Sequence, residues 1–278
     1  MSGAVSPGAA SRVAGLYRWQ HDELEFLDYC DPAELSLEVA DSWLVSDSLV
    51  LALELHRSRF FASIKARGFD AAIAEEFWDA AVDAIPRTGD WFPRVELVSR
   101  AGAPHLQFRL RSAPARSRSI VLATHVGDDP RTAPTIKGPD LAAMLRIRTE
   151  VQALGADDAV LLSPLGFVVE GAHTSLLWWR GNVLCAPPAE FGRIDRVTAK
   201  SILTLATVLG VKLSYEAVAP RELEGLEVWA VNALHGIRLV TSWIDGPATA
   251  EEPGRLKQWR SLLDTLKKPM SPAVESAP

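Results

Sequence analysis

The chain has little cysteine, tyrosine or lysine, and no long apolar run. Its two cysteines, Cys30 and Cys185, lie far apart in 278 residues, which fits neither a disulfide framework nor a zinc site, since each needs paired or clustered spacing. No stretch approaches the roughly 18 uncharged apolar residues of a membrane span. The start MSGAVSPGAASRVAG lacks the basic segment and continuous apolar stretch of a secretory signal. Basic residues are in deficit: 29 Lys and Arg against 35 Asp and Glu give a formal charge of −6, with no basic stripe of the kind that holds nucleic acid. Neither a membrane nor nucleic acid is expected as a partner, and the cytoplasm is the expected location.

What remains is ordinary globular material, 48% hydrophobic and 23% charged, in a chain long enough for two packed domains or one large one. Short apolar runs broken by Asp, Ser and Pro from ELEFLDYC to SWLVSDSLVLALEL read as strands and turns. HRSRFFASIKARG and DAAIAEEFWDAAVDAI have helical spacing, stopped by Gly68 and Pro86. SAPARSRS interrupts one strand pattern before SIVLATHV begins another and marks a linker. Beyond it the spacing predicts a helix from about Asp140 to Leu154, the hairpin AVLLSPLGFVVEG, a strand pair in SLLWWRGNVLCAP and a helix RVTAKSILTLATVLG. Three further strands and a closing helix, EEPGRLKQWRSLLDTLKK, complete the pattern. The expected division is a frayed tail over 1–16, an N-terminal α+β domain over 17–114, a C-terminal domain over 115–268 and a second tail over 269–278.

Two charged residues stand out. Lys137 is one of seven lysines and lies between RTAPTI and a helix opening on Pro139 and Asp140, where a surface lysine would serve equally well. Glu170 ends the apolar strand GFVV, and a carboxylate leaving water there needs a cation or strong donor. An arginine from elsewhere in the chain would satisfy that need. A third feature is IDRVTAKSIL, a helix start with small and polar residues that attracts anions such as phosphate. A lysine, a partly buried carboxylate and such a helix start together match the needs of pyridoxal phosphate (PLP).

From Lys137 to about Val240 the sequence resembles the class IV aminotransferases, the fold-type IV PLP enzymes that include branched-chain and D-amino acid aminotransferases and 4-amino-4-deoxychorismate lyase. GADDAVLLSPLGFVVEGAHTSLLWWRGNVLCAPP, FGRIDRVTAKSILTLATVLGVKLSYEAV and LEVWAVNALHGIRLV carry the family's motifs in order and spacing. LALELHRSRFFASI is similar to its phosphate-arginine helix. The resemblance implies an α+β fold of D-amino acid aminotransferase type, a small N-terminal α/β domain beside a C-terminal pseudo-barrel. It implies Lys137 as Schiff-base lysine and proton shuttle, Glu170 as partner of the pyridine nitrogen, and phosphate contacts from Arg59, Val197 and Thr198. A homodimer and a small amino substrate are also implied.

The pattern departs from the family at several positions. Ala40, Asp41 and Ser42 replace Phe-Glu-Thr in the strand that shapes the substrate pocket, and Asp140 and Leu141 replace the Asn-Tyr that follows the lysine. Arg196 stands at the glycine of the Gly-Ile-Thr-Arg helix start, beside Asp195, and Ala233 stands where a hydroxyl usually supports the phosphate. The turn VNALHGIRLV is closer to the lyase branch, so a 4-amino-4-deoxychorismate lyase-like activity is expected first. An amino-acid transaminase is the second reading, and a cofactor-free binding protein the third. Ser42, Arg109 and His235 are candidate substrate contacts, with Arg100, Arg111 and Arg238 as further carboxylate binders.

Overall fold

The computed structural model describes residues 13–27 and 35–270; Tyr29, Cys30 and most of the two expected tails lie outside them. The first unit runs β1 (Gly15–Gln20), β2 (Glu23–Leu27), β3 (Ser36–Ser42), β4 (Val45–Ser46), β5 (Leu49–Leu51), α1 (Leu53–Ala66), α2 (Glu75–Asp83), β6 (Asp90–Trp91), β7 (Arg94–Arg100) and β8 (Ala103–Leu110). Its main sheet has the order β2-β1-β8-β7-β3. Three hairpins turn on residue pairs with positive φ, His21-Asp22, Asp47-Ser48 and Ala101-Gly102, the conformation that matches strand twist in two-residue loops. Phe60 and Ile64 of α1 and Phe77 and Trp78 of α2 pack with Val95, Leu97 and Phe108 of the sheet as one core. The segment read as one helix to Pro86 is two pieces. Asp70 accepts a hydrogen bond from Ala72 N at 3.0 Å and starts a 3₁₀ turn, Ala71–Ala74, before α2.

After the linker come β9 (Ser119–Thr124), α3 (Leu141–Gln152), β10 (Asp158–Leu162), β11 (Val168–Gly171), β12 (Ser175–Arg180), β13 (Val183–Ala186), α4 (Val197–Val208), β14 (Lys212–Tyr215), β15 (Glu227–Asn232), β16 (Gly236–Ile244), α5 (Arg255–Thr265) and β17 (Lys267–Pro269). The second sheet has eight strands in the order β11-β10-β9-β16-β15-β12-β13-β14. It curls on itself: Val168 N–H of the first strand donates to Val218 O, just past the last, at 2.8 Å. Alternation along the strands splits the apolar residues between two faces. Val160, Leu176, Trp178, Val228 and Ala230 fill the inside. Leu177, Trp179, Trp229 and Val231 face outward, where Ile202 of α4 and Trp259 and Leu263 of α5 cover them. The pair Trp178-Trp179 thus serves both layers, as packing requires.

The expected tails extend too far inward at both ends. Gly15 and Leu16 open β1, paired with Leu27 and Leu110 at its edges. At the other end β17 pairs with β5 of the first unit and Met270, next in the chain, is buried. No helix among the described residues is long and apolar enough to cross a membrane.

The two units meet where Ala40 N–H of β3 donates to Lys137 O at 2.7 Å. Gly138, next in the chain, has φ +147°, and a Cβ there would lie 2.8 Å from Val39 Cα and 2.9 Å from Ala40 N. Both the dihedral and the backbone approach demand glycine. Gly138→Ala is expected to lower unfolding free energy by roughly 2–3 kcal/mol, measured by chemical denaturation; wild-type stability would show that β3 can move aside at no cost.

Candidate active site

A cavity of about 400 Å³ lies at this junction. It is walled by the end of β3, helix α1, the loop ahead of α3, the end of β11, the first turn of α4 and the turn between β15 and β16. Lys137 reaches it from the loop. Its side chain is half-buried, and among the described residues its amine has no hydrogen bond or ion pair. Burial lowers its pKa to about 7; the Asp41 carboxylate opposes this, while Arg59, Arg94 and Arg196 push in the same direction as burial. An amine so placed is substantially neutral near pH 7 and can act as a nucleophile or base.

Asp41, between the lining residues Ala40 and Ser42, is fully buried. Arg59 Nε donates to its Oδ2 and Nη2 to its Oδ1, both at 2.8 Å, His56 Nδ1 lies 2.7 Å from Oδ1, and Ser42 N–H donates at 2.7 Å. Burial alone would raise this carboxyl, but Arg59 and His56 outweigh it and hold it well below the usual carboxylate range. Arg59 also donates from Nη1 to Asp195 O at 3.0 Å, so it ties β3 and α1 of the first unit to the segment before α4. It lines the cavity with its fork already engaged. His56, buried on α1 against Asp41, also lines the cavity.

Glu170, 1% exposed, lines the same cavity as Lys137. Its cation is supplied from within the chain, twice: Arg131 Nη1 donates to Oε1 at 2.5 Å, and Arg196 Nε and Nη2 donate to Oε2 at 3.1 and 3.0 Å. Asp140 makes this possible at a distance. Its carboxylate accepts Thr132 N–H and Oγ1–H, both at 2.8 Å, and Ala133 N–H at 2.9 Å. That fixes the loop from which Arg131 projects. Asp195, just before α4, turns to Lys200 at 3.2 Å on the exposed side of the helix.

Val197 and Thr198, at the start of α4, are buried and line the cavity. Arg196 precedes them in extended conformation as the N-cap, with no side-chain cap bond. The first-turn N–H groups of such a helix remain suited to an anion. Ser42 and His235 also line the cavity. Burial, then Arg238, Arg148 and Arg260, lower the His235 pKa to about 4, so its ring is neutral at pH 7, with Nδ1 accepting Ser117 N–H at 3.1 Å.

Arg109 is not among the lining residues. It lies 3.6 Å from Glu96 on the neighbouring strand of the sheet. Arg100 does not line the cavity either, whereas Arg111 and Arg238 do. Sequence reading missed Arg94, from β7, whose buried Nε has no hydrogen-bond partner, and Arg131. The signal for Arg131 was the need of Glu170 for a cation; its position in the loop carried no periodicity that could have chosen it over other arginines.

Residues 38–243 match the family described as Amino-transferase class IV. A probable branched-chain-amino-acid aminotransferase of Rickettsia bellii (strain RML369-C) is 31% identical over 77 residues, covering 28% of this chain and only 26% of that protein. A hypothetical aminotransferase from Mycobacterium tuberculosis, apo form, has the same fold with a TM-score of 0.77 and 18% identity, over 91% of this chain and 98% of that one. A putative 4-amino-4-deoxychorismate lyase from Legionella pneumophila subsp. pneumophila str. Philadelphia 1 gives 0.69 and 18%, over 82% and 90%. With the family matched over most of its length, and with an unpartnered lysine and a buried glutamate in one cavity, the chain belongs to the class IV aminotransferases, PLP-dependent enzymes of α+β fold.

Proposed function

We propose that this cavity binds PLP through Lys137 and carries out a pyruvate-eliminating reaction of the 4-amino-4-deoxychorismate lyase type on an anionic amine. The observation that carries the cofactor reading is the amine of Lys137, lowered to about 7 and without a partner, facing a cavity that is also lined by seven arginines. That excess of guanidinium suits a phosphate and the carboxylates of a substrate. The fit is supported further by buried Arg94 Nε and Arg238 Nε, cavity-lining donors without partners.

When bound, PLP supplies an aldehyde for an amine and an electron-accepting ring. Lys137 would hold the group and, once substrate takes its place, move the proton at the substrate carbon next to nitrogen. Val197 and Thr198 would present N–H groups and a hydroxyl to the phosphate. Arg59 would keep the helix start in place through Asp195 O while its remaining N–H groups face the same anion. Glu170 would lie toward the ring nitrogen, and Arg94, Arg111 and Arg238 would orient substrate carboxylates. Neutral His235 and the Ser42 hydroxyl would offer uncharged hydrogen bonds.

The lyase reading is supported by the turn VNALHGIRLV, which carries His235 and lies on the cavity wall. Amino transfer is the second reading, supported by the partial likeness to the Rickettsia protein. Incubation of the PLP-loaded protein with aminodeoxychorismate separates them. Pyruvate released with no amino acceptor present is the expected result; 2-oxo acid formed from an amino acid only when a second 2-oxo acid is added would establish amino transfer instead. A homodimer in the cytoplasm is part of the same proposal and rests on family membership.

A further inference from the structure

Glu170 has no acceptor position to spare. A carboxylate offers about four lone-pair directions. Oε1 receives Arg131 Nη1 at 2.5 Å and Ile194 N–H at 3.3 Å, and Oε2 receives Arg196 Nε and Nη2 at 3.1 and 3.0 Å. Both guanidiniums are themselves fixed. Arg131 grips Asp129 through Nε at 2.9 and 3.0 Å and Nη2 at 2.6 Å. Arg196 Nη2 also reaches Gly171 O at 3.3 Å and Ala172 O at 3.5 Å.

The order of charge through the cluster is Asp129, Arg131, Glu170, Arg196, alternating and without net charge. Other carboxylates close by are committed elsewhere: Asp140 to the loop at Thr132 and Ala133, and Asp158 to Thr174 Oγ1 at 2.8 Å and to His173. A pyridinium N–H brought to Glu170 would be a third cation on one carboxylate and would have to displace a charge-assisted hydrogen bond. A pyridine nitrogen with its lone pair free has no such requirement and can accept from a guanidinium.

We propose that Arg131 and Arg196 withhold the Glu170 carboxylate from the cofactor, so that PLP in this protein is held with its ring nitrogen unprotonated. Arg196 is the positioning residue that decides it, since it takes both directions on Oε2 and stands where the family has glycine. This rests on the reading of Lys137 and Glu170 as the cofactor site. The ring then withdraws electrons less strongly, and the site depends more on Lys137 as base and on the surrounding guanidiniums for its chemistry.

The test is ¹⁵N NMR of the full-length protein loaded with PLP labelled at the ring nitrogen, at neutral pH, with occupancy of Lys137 established by borohydride reduction and peptide mass. The expected wild-type resonance is that of a neutral pyridine, without one-bond N–H coupling. Arg196→Met, which keeps apolar bulk and frees Oε2, is expected to shift the resonance to the pyridinium position. A protonated nitrogen in the wild type overturns the proposal, and this measurement stands even if the variant does not fold. A neutral nitrogen in both proteins overturns the assignment to Arg196. A protein that takes no pyridoxyl group on Lys137 overturns the functional reading itself, and the mass measurement tells that failure apart from the others.

Discussion

Alanine at Lys137 is expected to abolish borohydride-stable pyridoxyl labelling and to lower turnover by about 10³-fold or more, since the residue would supply both the covalent attachment and the proton transfer. The amine has a second signature. Because burial brings its pKa to about 7, the neutral fraction grows as pH rises through that value and saturates above it. The rate at which PLP labels wild-type Lys137 should therefore rise from pH 6 to about pH 8 and then level off. A lysine at the ordinary value of about 10.4 would keep gaining reactivity well beyond that. Labelling found only on other lysines, or a profile still climbing above pH 9, would remove Lys137 from its proposed role.

Asp41→Ala is expected to be strongly destabilising. It leaves Arg59 and His56, both held by this carboxylate, facing a low-dielectric space without their partner. Removing one member of such a buried charge pair costs about 3–5 kcal/mol. The sign of the pH dependence follows from the depressed carboxyl. Its contribution is fully present above the unfolded value of about 3.9 and is lost as pH falls from there toward the much lower folded value. The gap between variant and wild type in denaturant unfolding should thus be constant above the range where His56 titrates, and the carboxyl's own share of it is lost below about pH 4. A gap under 1 kcal/mol at pH 7 would mean that water or another group replaces the carboxylate.

Most of the second unit was legible in the sequence. AVLLSPLGFVVEG is the β10–β11 hairpin, SLLWWRGNVLCAP is β12 and β13, and RVTAKSILTLATVLG is α4 with Gly210 beyond it at φ +73°. Local pattern decides these elements, because each alternation or helical period is complete within its own segment. β17 was not legible. Its three residues, KKP, have no pattern and become a strand only because β5 offers them an edge. The site divides in the same way. Lys137 and Glu170 were found through their chemistry and do share a cavity, and the departures Asp41 and Arg196 were visible as departures. That Asp41 would bind His56 and Arg59, and that Arg196 would turn to Glu170 across the start of α4, depends on contacts between elements 15 to 26 residues apart. No local period encodes such contacts.

The return of β17 to β5 has a mechanical consequence. The polypeptide crosses between the two halves through the linker and crosses back at its far end, so the halves are tethered at both extremities of the second. Swinging apart about the linker alone would require peeling that terminal ladder, and Lys137, pinned by its carbonyl to β3, lies in the chain between the two moorings.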